Sequence, residues 1–224
     1  MVGNGSEGLD GGWPQMDETR LGRYEAGCSP AQRAQHSNGA ALFLDRDGVI
    51  NVDCGYVHRP EQFEFVPGIF PLARFWTNEL RRPIIVVTNQ AGIGRGYFDE
   101  AAYVDLTRWM CDRFEAERAA IARVYHCPYH PRDGIGEYRR DHPWRKPNPG
   151  MILQAASDLG LDLASSAIVG DKMSDVEAGA AAGVGLRILV GSQDSSCRER
   201  APSHEAVAHL GEALTLLRSR FALR

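Results

Sequence analysis

From about residue 40 onward, the chain alternates short apolar runs with longer amphipathic stretches. Four runs are apolar at consecutive positions rather than at alternate ones: "AALFL", "PIIVVT", "SAIVG" and "LRILV". Runs of this kind are typical of strands that are buried on both faces of a parallel sheet. The pattern therefore predicts a parallel strand at each of these four places.

The stretches between and after these runs have the spacing of helices, and we expect helices over residues 67–80, 99–118, 149–159, 175–182 and 206–217. Strands that alternate with helices indicate an α/β fold, here a doubly wound, mostly parallel sheet with helices on both faces. Ligands of such sheets bind outside the carboxyl ends of the strands. The residues that follow each strand are therefore the candidates for a functional site.

The first 39 residues differ from the rest of the chain. They are rich in Gly, Ser, Gln and Asn and have no apolar period, a composition typical of a flexible segment. We expect a flexible N-terminal extension over residues 1–39 and one domain over residues 40–224. The overall content of 43% hydrophobic and 24% charged residues suits a globular domain.

Charge and composition exclude several classes of function. The net charge is −4, whereas general nucleic-acid binders carry a basic excess, so we expect no nucleic-acid partner. No run reaches the ~18 apolar residues of a membrane span, and the N-terminus lacks an apolar signal segment. The five cysteines are scattered, without a Cys-x-x-Cys motif, which suits a reducing compartment. We expect a cytoplasmic monomer that does not bind membranes.

Polar residues stand where the predicted strands end. Asp45 and Asp47 follow the first run, Thr88 and Asn89 the second, and Asp171 and Lys172 a later one. A fourth group, Arg145 and Lys146, precedes the helix predicted from residue 149. Because the carboxyl ends of parallel strands share one edge of the sheet, we expect these groups to converge. Carboxylates, a hydroxyl, an amide and cationic groups together suit a hard divalent cation and a phosphoryl group.

Asp45 and Asp47 are close enough along the chain to repel each other unless a positive charge compensates them. We expect Mg²⁺ to do so, held by Asp45, Asp171 and the main-chain carbonyl of Asp47. The other Asp45 oxygen can then attack phosphorus to form an aspartyl-phosphate, and Asp47 can act as general acid and base. Asp-x-Asp alone is more often a turn or a cap, so this interpretation depends on the whole set.

Four segments resemble the motifs of the haloacid dehalogenase-like (HAD-like) phosphatases: "LDRDGVIN", "TNQAGIGRG", "RKPNPGM" and "GDKMSD". Two more, "NVDCGYVHRPEQFEFVPG" and "CPYHP", resemble the D-glycero-D-manno-heptose 1,7-bisphosphate 7-phosphatases, with the histidinol-phosphate phosphatases as near relatives. The resemblance covers residues 41–190. It implies a HAD-like fold and Mg²⁺-dependent removal of the 7-phosphate from a small phosphorylated sugar.

The resemblance also implies roles for individual residues. Asp45 would be the nucleophile and Asp47 the general acid and base, and both would bind Mg²⁺ with Asp171. The transferring phosphoryl group would be held by Thr88, Asn89 and Lys146, and the rest of the substrate by Arg145, Lys172, Asp53 and Tyr56.

Two alternative functions stay open. Within the same chemistry, the substrate can be histidinol phosphate or another small phosphomonoester. The chain can also be a catalytically silent binding member of the fold, because a fold does not establish a function. The intact pair of Asp45 and Asp47 argues against silence, since a binding protein does not need the acid/base carboxylate.

Spacing predicts an open site. The intervals from Asp45 to Thr88 and from Thr88 to Lys146 are largely used by one helix and one strand each, which leaves no room for a domain-sized cap. We expect only a short flap over residues 51–66, with specificity left to loops.

One feature of the resembling phosphatases is incomplete here. They usually carry a structural zinc loop, Cys-x-His followed by Cys-x-Cys, and the matching residues are Cys127, Tyr129, His142 and Trp144. Of these four, Cys127 and His142 can still be ligands, whereas a closed zinc site needs four. His126 and His130 can substitute, although nothing in their spacing requires it. We therefore expect no zinc, and we expect Tyr129 and Trp144 to fix the loop by aromatic packing instead.

Overall fold

The computed structural model describes residues 23–24, 39–191 and 202–222, and the structural statements below concern these residues. Seven strands form one sheet: β1 (Arg23–Tyr24), β2 (Leu42–Leu44), β3 (Ile84–Asn89), β4 (Ile121–Cys127), β5 (Ala167–Gly170), β6 (Leu186–Val190) and β7 (Glu205–Val207). Their order is β1-β4-β3-β2-β5-β6-β7. All neighbours are parallel except β1, which is antiparallel to β4.

The chain runs outward from β2 in both directions, to β3 and β4 on one side and to β5 and β6 on the other. This confirms the doubly wound, mostly parallel sheet. The central strand β2 therefore lies at the topological switch point, which is the usual ligand position in such sheets.

Six α-helices accompany the strands: α1 (Ile69–Arg74), α2 (Ala91–Gly94), α3 (Glu100–Ala116), α4 (Gly150–Leu159), α5 (Met173–Ala182) and α6 (Leu210–Phe221). A π-helix over Phe75–Glu79 extends α1. The helices lie on both faces of the sheet, since α1, α3 and α6 contribute to one apolar cluster and α4 and α5 to the other.

The two apolar clusters explain the consecutive apolar residues of the sequence. Successive residues of a strand point to opposite faces. Leu42 and Leu44 belong to the cluster with α1, α3 and α6, whereas Phe43 belongs to the cluster with α4 and α5. Because both faces of β2 are covered, each of these three residues is fully buried.

The last predicted helix, over residues 206–217, was placed too early. Its first residues form the strand β7 (Glu205–Val207), and the helix spans Leu210–Phe221. The ring of His209 accepts a hydrogen bond from the main-chain N–H of Glu212 and so caps the helix at its true start.

The predicted N-terminal extension, residues 1–39, lies outside the described residues except for β1 and Gly39. The expected flap, residues 51–66, holds the short 3₁₀-helix Pro60–Gln62 and bridge pairings of Asn51 with Asp47 and Phe65. No domain-sized cap is inserted within the described ranges. In this part of the chain, no helix combines the length and the apolar character needed to cross a bilayer.

Candidate active site

The sheet brings most of the predicted polar residues to its carboxyl edge. Asp45 directly follows β2, Thr88 and Asn89 end β3, and Asp171 directly follows β5. The main-chain N–H of Asp45 donates to the carbonyl of Val169 over 3.1 Å, which extends the pairing of β2 with β5 to the catalytic edge. The predicted convergence on one edge is therefore present for these residues.

Three carboxylates form a compact group at this edge. One oxygen from each of Asp45, Asp171 and Asp175 lies within 4.8 Å of the others. The sequence analysis did not single out Asp175, although it stands four residues after Asp171 in "GDKMSD". Its side chain packs against Gly170, where even a methyl group would overlap it. A second carboxylate one helical turn after a strand-end aspartate was the available signal.

A buried lysine joins two of these carboxylates. The Lys146 Nζ lies 2.9 Å from Oδ1 of Asp45 and 2.5 Å from Oδ1 of Asp175. It also donates to the main-chain carbonyl of Val87 over 2.8 Å. Burial alone would lower the pKa of Lys146, but the two carboxylates raise it above its ordinary value. The ammonium is therefore charged and its three N–H groups face protein acceptors.

Asp45 presents one occupied and one open oxygen. Its Oδ1 accepts hydrogen bonds from the main-chain N–H of Arg46 over 2.7 Å and from Lys146. Burial raises the pKa of Asp45 to about 7, Lys146 opposes this rise, and the nearby carboxylates add to it. An additional cation would favour the ionised, nucleophilic form. The contacts of Arg46 and Lys146 are both with Oδ1 and not with Oδ2.

The carboxylate group fits a divalent cation. The Oδ1 atom of Asp171 is buried and has no hydrogen-bond partner among the described residues. Gly48, with a φ of 90°, lies so close to the Asp171 carboxylate that a β-carbon would overlap it. Three carboxylates around one buried ammonium leave a negative excess, and clustered oxygens are the ligands that Mg²⁺ prefers.

The carboxylate of Asp47 lies outside this group and is held by three donors. Arg46 reaches its two oxygens over 2.9 and 3.0 Å, the Asn51 amide reaches it over 3.0 Å, and the Gln90 amide over 2.8 Å. Arg46 also donates to the carbonyl of Val57 over 2.8 Å, which ties the flap to the same residue. The expected main-chain contact of Asp47 with Mg²⁺ stays a prediction.

Asn89 and Arg145 both act on the loop that carries Lys146. The Asn89 amide donates to the main-chain carbonyl of Lys146 over 3.0 Å and accepts from its N–H over 3.0 Å. Arg145 donates to the carbonyl of Tyr129 over 3.1 Å. The side chain of Asn89 thus fixes the position of Lys146. The contact of Asn89 with the phosphoryl group, which the resemblance implies, stays a prediction.

Two sets of polar contacts join the flap to neighbouring loops at the rim of the site. The ammonium of Lys172 lies 3.1 Å from Asp53 and 3.5 Å from Asp171. The Tyr56 hydroxyl accepts a hydrogen bond from Arg95 over 2.5 Å, and Arg95 also pairs with Asp133 over 2.6 Å. Of the flap residues predicted to contact the substrate, Asp53 is therefore linked to the carboxylate group through Lys172, whereas Tyr56 contacts Arg95 after β3.

Aromatic rings fill the loop that matches the zinc loop of the resembling phosphatases. Tyr129 stacks on His142 with ring centroids 4.5 Å apart, and Arg140 lies 4.1 Å from the Tyr129 centroid. Tyr129 and Trp144 are both buried. Within the described residues, Cys127 and His142 belong to no group of three or more candidate metal ligands. The absence of zinc stays a prediction.

Comparisons with known proteins place the chain in a family. A sequence model of the HAD-hydrolase-like family matches residues 143–213. The D-glycero-α-D-manno-heptose-1,7-bisphosphate 7-phosphatase of Burkholderia mallei is 54% identical over 156 residues, which cover 70% of this chain and 82% of that protein. The corresponding β-anomer 7-phosphatase of Vibrio cholerae is 47% identical over 153 residues, 67% of this chain and 80% of that protein.

A solved structure agrees with these relatives. The D,D-heptose 1,7-bisphosphate phosphatase of B. bronchiseptica, crystallised with magnesium and phosphate, superposes with a TM-score of 0.70 at 28% identity. The match covers 80% of this chain and 98% of that protein. The fold, the carboxylate group and the identities agree: the chain belongs to the heptose-1,7-bisphosphate 7-phosphatase family of HAD-like hydrolases.

Proposed function

We propose that the protein is a Mg²⁺-dependent phosphatase that removes the 7-phosphate of D-glycero-D-manno-heptose 1,7-bisphosphate. The observation that carries this proposal is the buried pair of Asp45 and Lys146, 2.9 Å apart, in a chain 54% identical to a phosphatase of that name. A silent binding protein would have no need of a nucleophilic carboxylate activated in this way.

In the proposed site, Mg²⁺ would be held by Asp45, Asp171 and the main-chain carbonyl of Asp47. Its charge would stabilise the negative charge that develops on the phosphoryl oxygens. The phosphoryl group is oriented by the Thr88 hydroxyl and by the positive charge of Lys146, which Asn89 keeps in place.

In the first step, Oδ2 of Asp45 attacks the phosphorus atom and forms a new P–O bond. The bond between phosphorus and the sugar oxygen breaks, and its electron pair goes to that oxygen. Protonated Asp47 transfers its proton to the same oxygen, so the sugar 1-phosphate leaves with a neutral hydroxyl at this position. The products of this step are the aspartyl-phosphate of Asp45 and an ionised Asp47.

In the second step, ionised Asp47 takes a proton from a water molecule as the water oxygen attacks phosphorus. The bond between phosphorus and Asp45 breaks, and its electrons return to the carboxylate. Inorganic phosphate is released, and both aspartates regain their starting protonation states. The net reaction consumes one water for each phosphate ester.

Substrate recognition falls to the loops around the open site. Asp53, Tyr56, Arg145 and Lys172 would contact the sugar and its second phosphate. The links between Lys172 and Asp53 and between Arg95 and Tyr56 support this role, because they hold the flap beside the carboxylate group.

A cytoplasmic location agrees with the state of the cysteines. Among the described residues, Cys54 and Cys127 are free thiols, which suits a reducing compartment. The monomeric state is a prediction from the sequence.

A phosphate-release screen tests the proposed function. The substrates are both anomers of the heptose 1,7-bisphosphate, a hexose bisphosphate, histidinol phosphate and 4-nitrophenyl phosphate, each with Mg²⁺ and with a chelator. We expect the highest kcat/KM for one heptose anomer, with a 1-phosphate as product and no turnover without metal. A preference for histidinol phosphate, or release of the 1-phosphate, would overturn the substrate assignment.

A further inference from the structure

Gln90 is a buried polar side chain to which the mechanism above gives no role. Only 3% of its surface is exposed. It follows the last residue of β3, and its main-chain N–H donates to the carbonyl of Cys127 at the end of β4 over 2.8 Å. Buried polar groups in folded proteins are nearly always hydrogen-bonded. The partners of the Gln90 amide therefore indicate what this side chain does.

The amide nitrogen of Gln90 contacts two residues of the site. It lies 2.8 Å from Oδ2 of Asp47 and 2.9 Å from Oγ1 of Thr88. A primary amide has two N–H donors, and here each donor has its own acceptor. While Asp47 is ionised, the opposite orientation would place the amide oxygen against its carboxylate, so the nitrogen faces Asp47 in that state.

This contact determines where the Thr88 hydroxyl can donate. The Thr88 Oγ1 atom already accepts a hydrogen bond from Gln90, so the hydroxyl hydrogen of Thr88 cannot point toward Gln90. The Thr88 side chain is 1% exposed, and a buried hydroxyl donates to a fixed partner when one is available. The contact with Gln90 therefore leaves the Thr88 hydrogen free for a phosphoryl oxygen.

The same amide helps to orient Asp47. Its other two donors, Arg46 and Asn51, are one and four residues away along the chain. Gln90 comes from the end of the neighbouring strand β3, 43 residues away. It is therefore a direct link between Asp47 and the strand that carries Thr88.

We propose that Gln90 is a positioning residue that couples the acid/base carboxylate of Asp47 to the phosphoryl-binding hydroxyl of Thr88. The proposal rests on the proposed phosphatase function. Gln90 has no role of its own in bond making or breaking and acts through the two side chains that it contacts, Asp47 and Thr88. It sets the orientation of two groups that must be aligned at opposite ends of the breaking bond, the proton donor at the leaving oxygen and the hydroxyl at the phosphoryl group.

The proposal predicts a dependence on the leaving group. A sugar alkoxide leaves only with the help of a proton, whereas 4-nitrophenolate is stable without one. Loss of the Asp47 orientation should therefore slow sugar phosphates more than 4-nitrophenyl phosphate. Loss of the Thr88 orientation should act equally on both substrates and should also weaken inhibition by inorganic phosphate.

The test compares Gln90→Met, which keeps the length but removes the donors, with Gln90→Glu, which keeps the shape and reverses the polarity. Gln154→Met is the matched control, because the Gln154 amide donates to a carboxylate, Asp158, on α4 outside the site over 3.0 Å. Steady-state kinetics on heptose 1,7-bisphosphate and on 4-nitrophenyl phosphate, with thermal unfolding of each variant, give the readouts.

For Gln90→Met, we expect the ratio of kcat/KM for the sugar phosphate to that for the aryl phosphate to fall by about tenfold, part of the ~10²–10⁴-fold that general acid–base help provides. We also expect a weaker inhibition constant for inorganic phosphate. Gln90→Glu should lower the kcat/KM ratio more than Gln90→Met does, since its carboxylate would face Asp47. Gln154→Met should match the wild type in the kcat/KM ratio and in phosphate inhibition. In an Asp47→Asn background, Gln90→Met should no longer change the ratio.

An unchanged ratio in folded Gln90→Met would overturn the coupling to Asp47, and unchanged phosphate inhibition would overturn the coupling to Thr88. If Gln90→Met fails to fold, Gln90→Glu decides in the same way, because its shape is that of the native residue. A wild-type enzyme that hydrolyses neither substrate would contradict the proposed function itself, which is a separate outcome.

Discussion

The ammonium of Lys146 lies 2.9 Å from the carboxylate of Asp45, and the two side chains are only 2% and 8% exposed. The chain has 25 basic residues but only two lysines, and both stand in this site. Lys146 is enclosed by three acceptors, whereas Lys172 is half-exposed at the rim. A compact ammonium fits the enclosed position, but a planar guanidinium with five donors does not.

We therefore expect Lys146→Arg to lose most of its catalytic efficiency although its charge is kept. Lys172→Arg should lose less catalytic efficiency, because the larger arginine side chain has room at the surface. Steady-state kinetics at saturating Mg²⁺ measure both. Near-normal efficiency of Lys146→Arg would show that a positive charge alone is sufficient at this position.

Gly48→Ala should damage the metal site specifically. The added methyl group would overlap the Asp171 carboxylate, and the φ of 90° disfavours any L-residue. Gly183→Ala is the matched control, because its φ is 83° and nothing lies within 4 Å of the added carbon. Each variant should lose about 1 kcal/mol of stability from the backbone alone.

Only Gly48→Ala should also bind Mg²⁺ more weakly, as measured by titration calorimetry and by the Mg²⁺ dependence of turnover. Equal Mg²⁺ affinity in the two variants would mean that the close approach of Gly48 to Asp171 does not shape the cation site.

His142 should make stability depend on pH. Burial and the nearby charge of Arg140 lower its pKa to about 4, and the Asp141 carboxylate opposes this fall. Its Nδ1 accepts from the main-chain N–H of Trp144 over 3.1 Å, which requires that nitrogen to be unprotonated. Between the ordinary pKa of 6.5 and about pH 4, the unfolded chain binds a proton that the folded protein does not.

This contribution to stability is complete above about pH 6.5 and is lost as the pH falls toward 4. In His142→Asn, the free energy of unfolding should fall less between pH 7 and pH 4.5 than in the wild type. His209→Asn replaces an exposed histidine that caps α6 by another good cap residue, and it should keep the wild-type slope. Identical slopes in all three proteins would contradict the assignment to His142.

Metal analysis of protein purified without chelator should find no zinc. Tyr129 and Trp144 occupy two of the four matching ligand positions, and the stack of Tyr129 on His142 already packs the loop. A content near one zinc per chain would show that other residues complete a site.

The four strands that were predicted differ from β4, one of the strands that were missed, in how their residues are buried. The runs of β2, β3, β5 and β6 are apolar because helices cover both faces of the sheet. The strand β4 reads "IARVYHC" and interrupts any apolar run, yet most of it is buried. Arg123 is accommodated there by an ion pair with Asp158 on α4, 35 residues away, which sequence periodicity does not reveal.

In the candidate site, too, the sequence predicted some features and missed others. Asp45, Thr88, Lys146 and Asp171 could be found because polar residues at strand ends share one edge of the sheet. The hydrogen-bond partners of these residues depend on the directions of their side chains, which the spacing of residues along the sequence does not reveal. The link from Gln90 to Asp47 and the link from Asn89 to the main chain of Lys146 cross 43 and 57 residues, respectively.

The most direct test of the account is to trap the covalent intermediate. The enzyme is mixed with Mg²⁺ and heptose 1,7-bisphosphate, quenched with acid during turnover and digested, and the peptides are analysed by mass spectrometry after borohydride reduction. We predict a phosphoryl group on the peptide that contains Asp45, converted by borohydride to homoserine at position 45, and neither product in Asp45→Asn, which should be inactive. Phosphate release without any modification of Asp45, or turnover by Asp45→Asn within tenfold of the wild type, would contradict it.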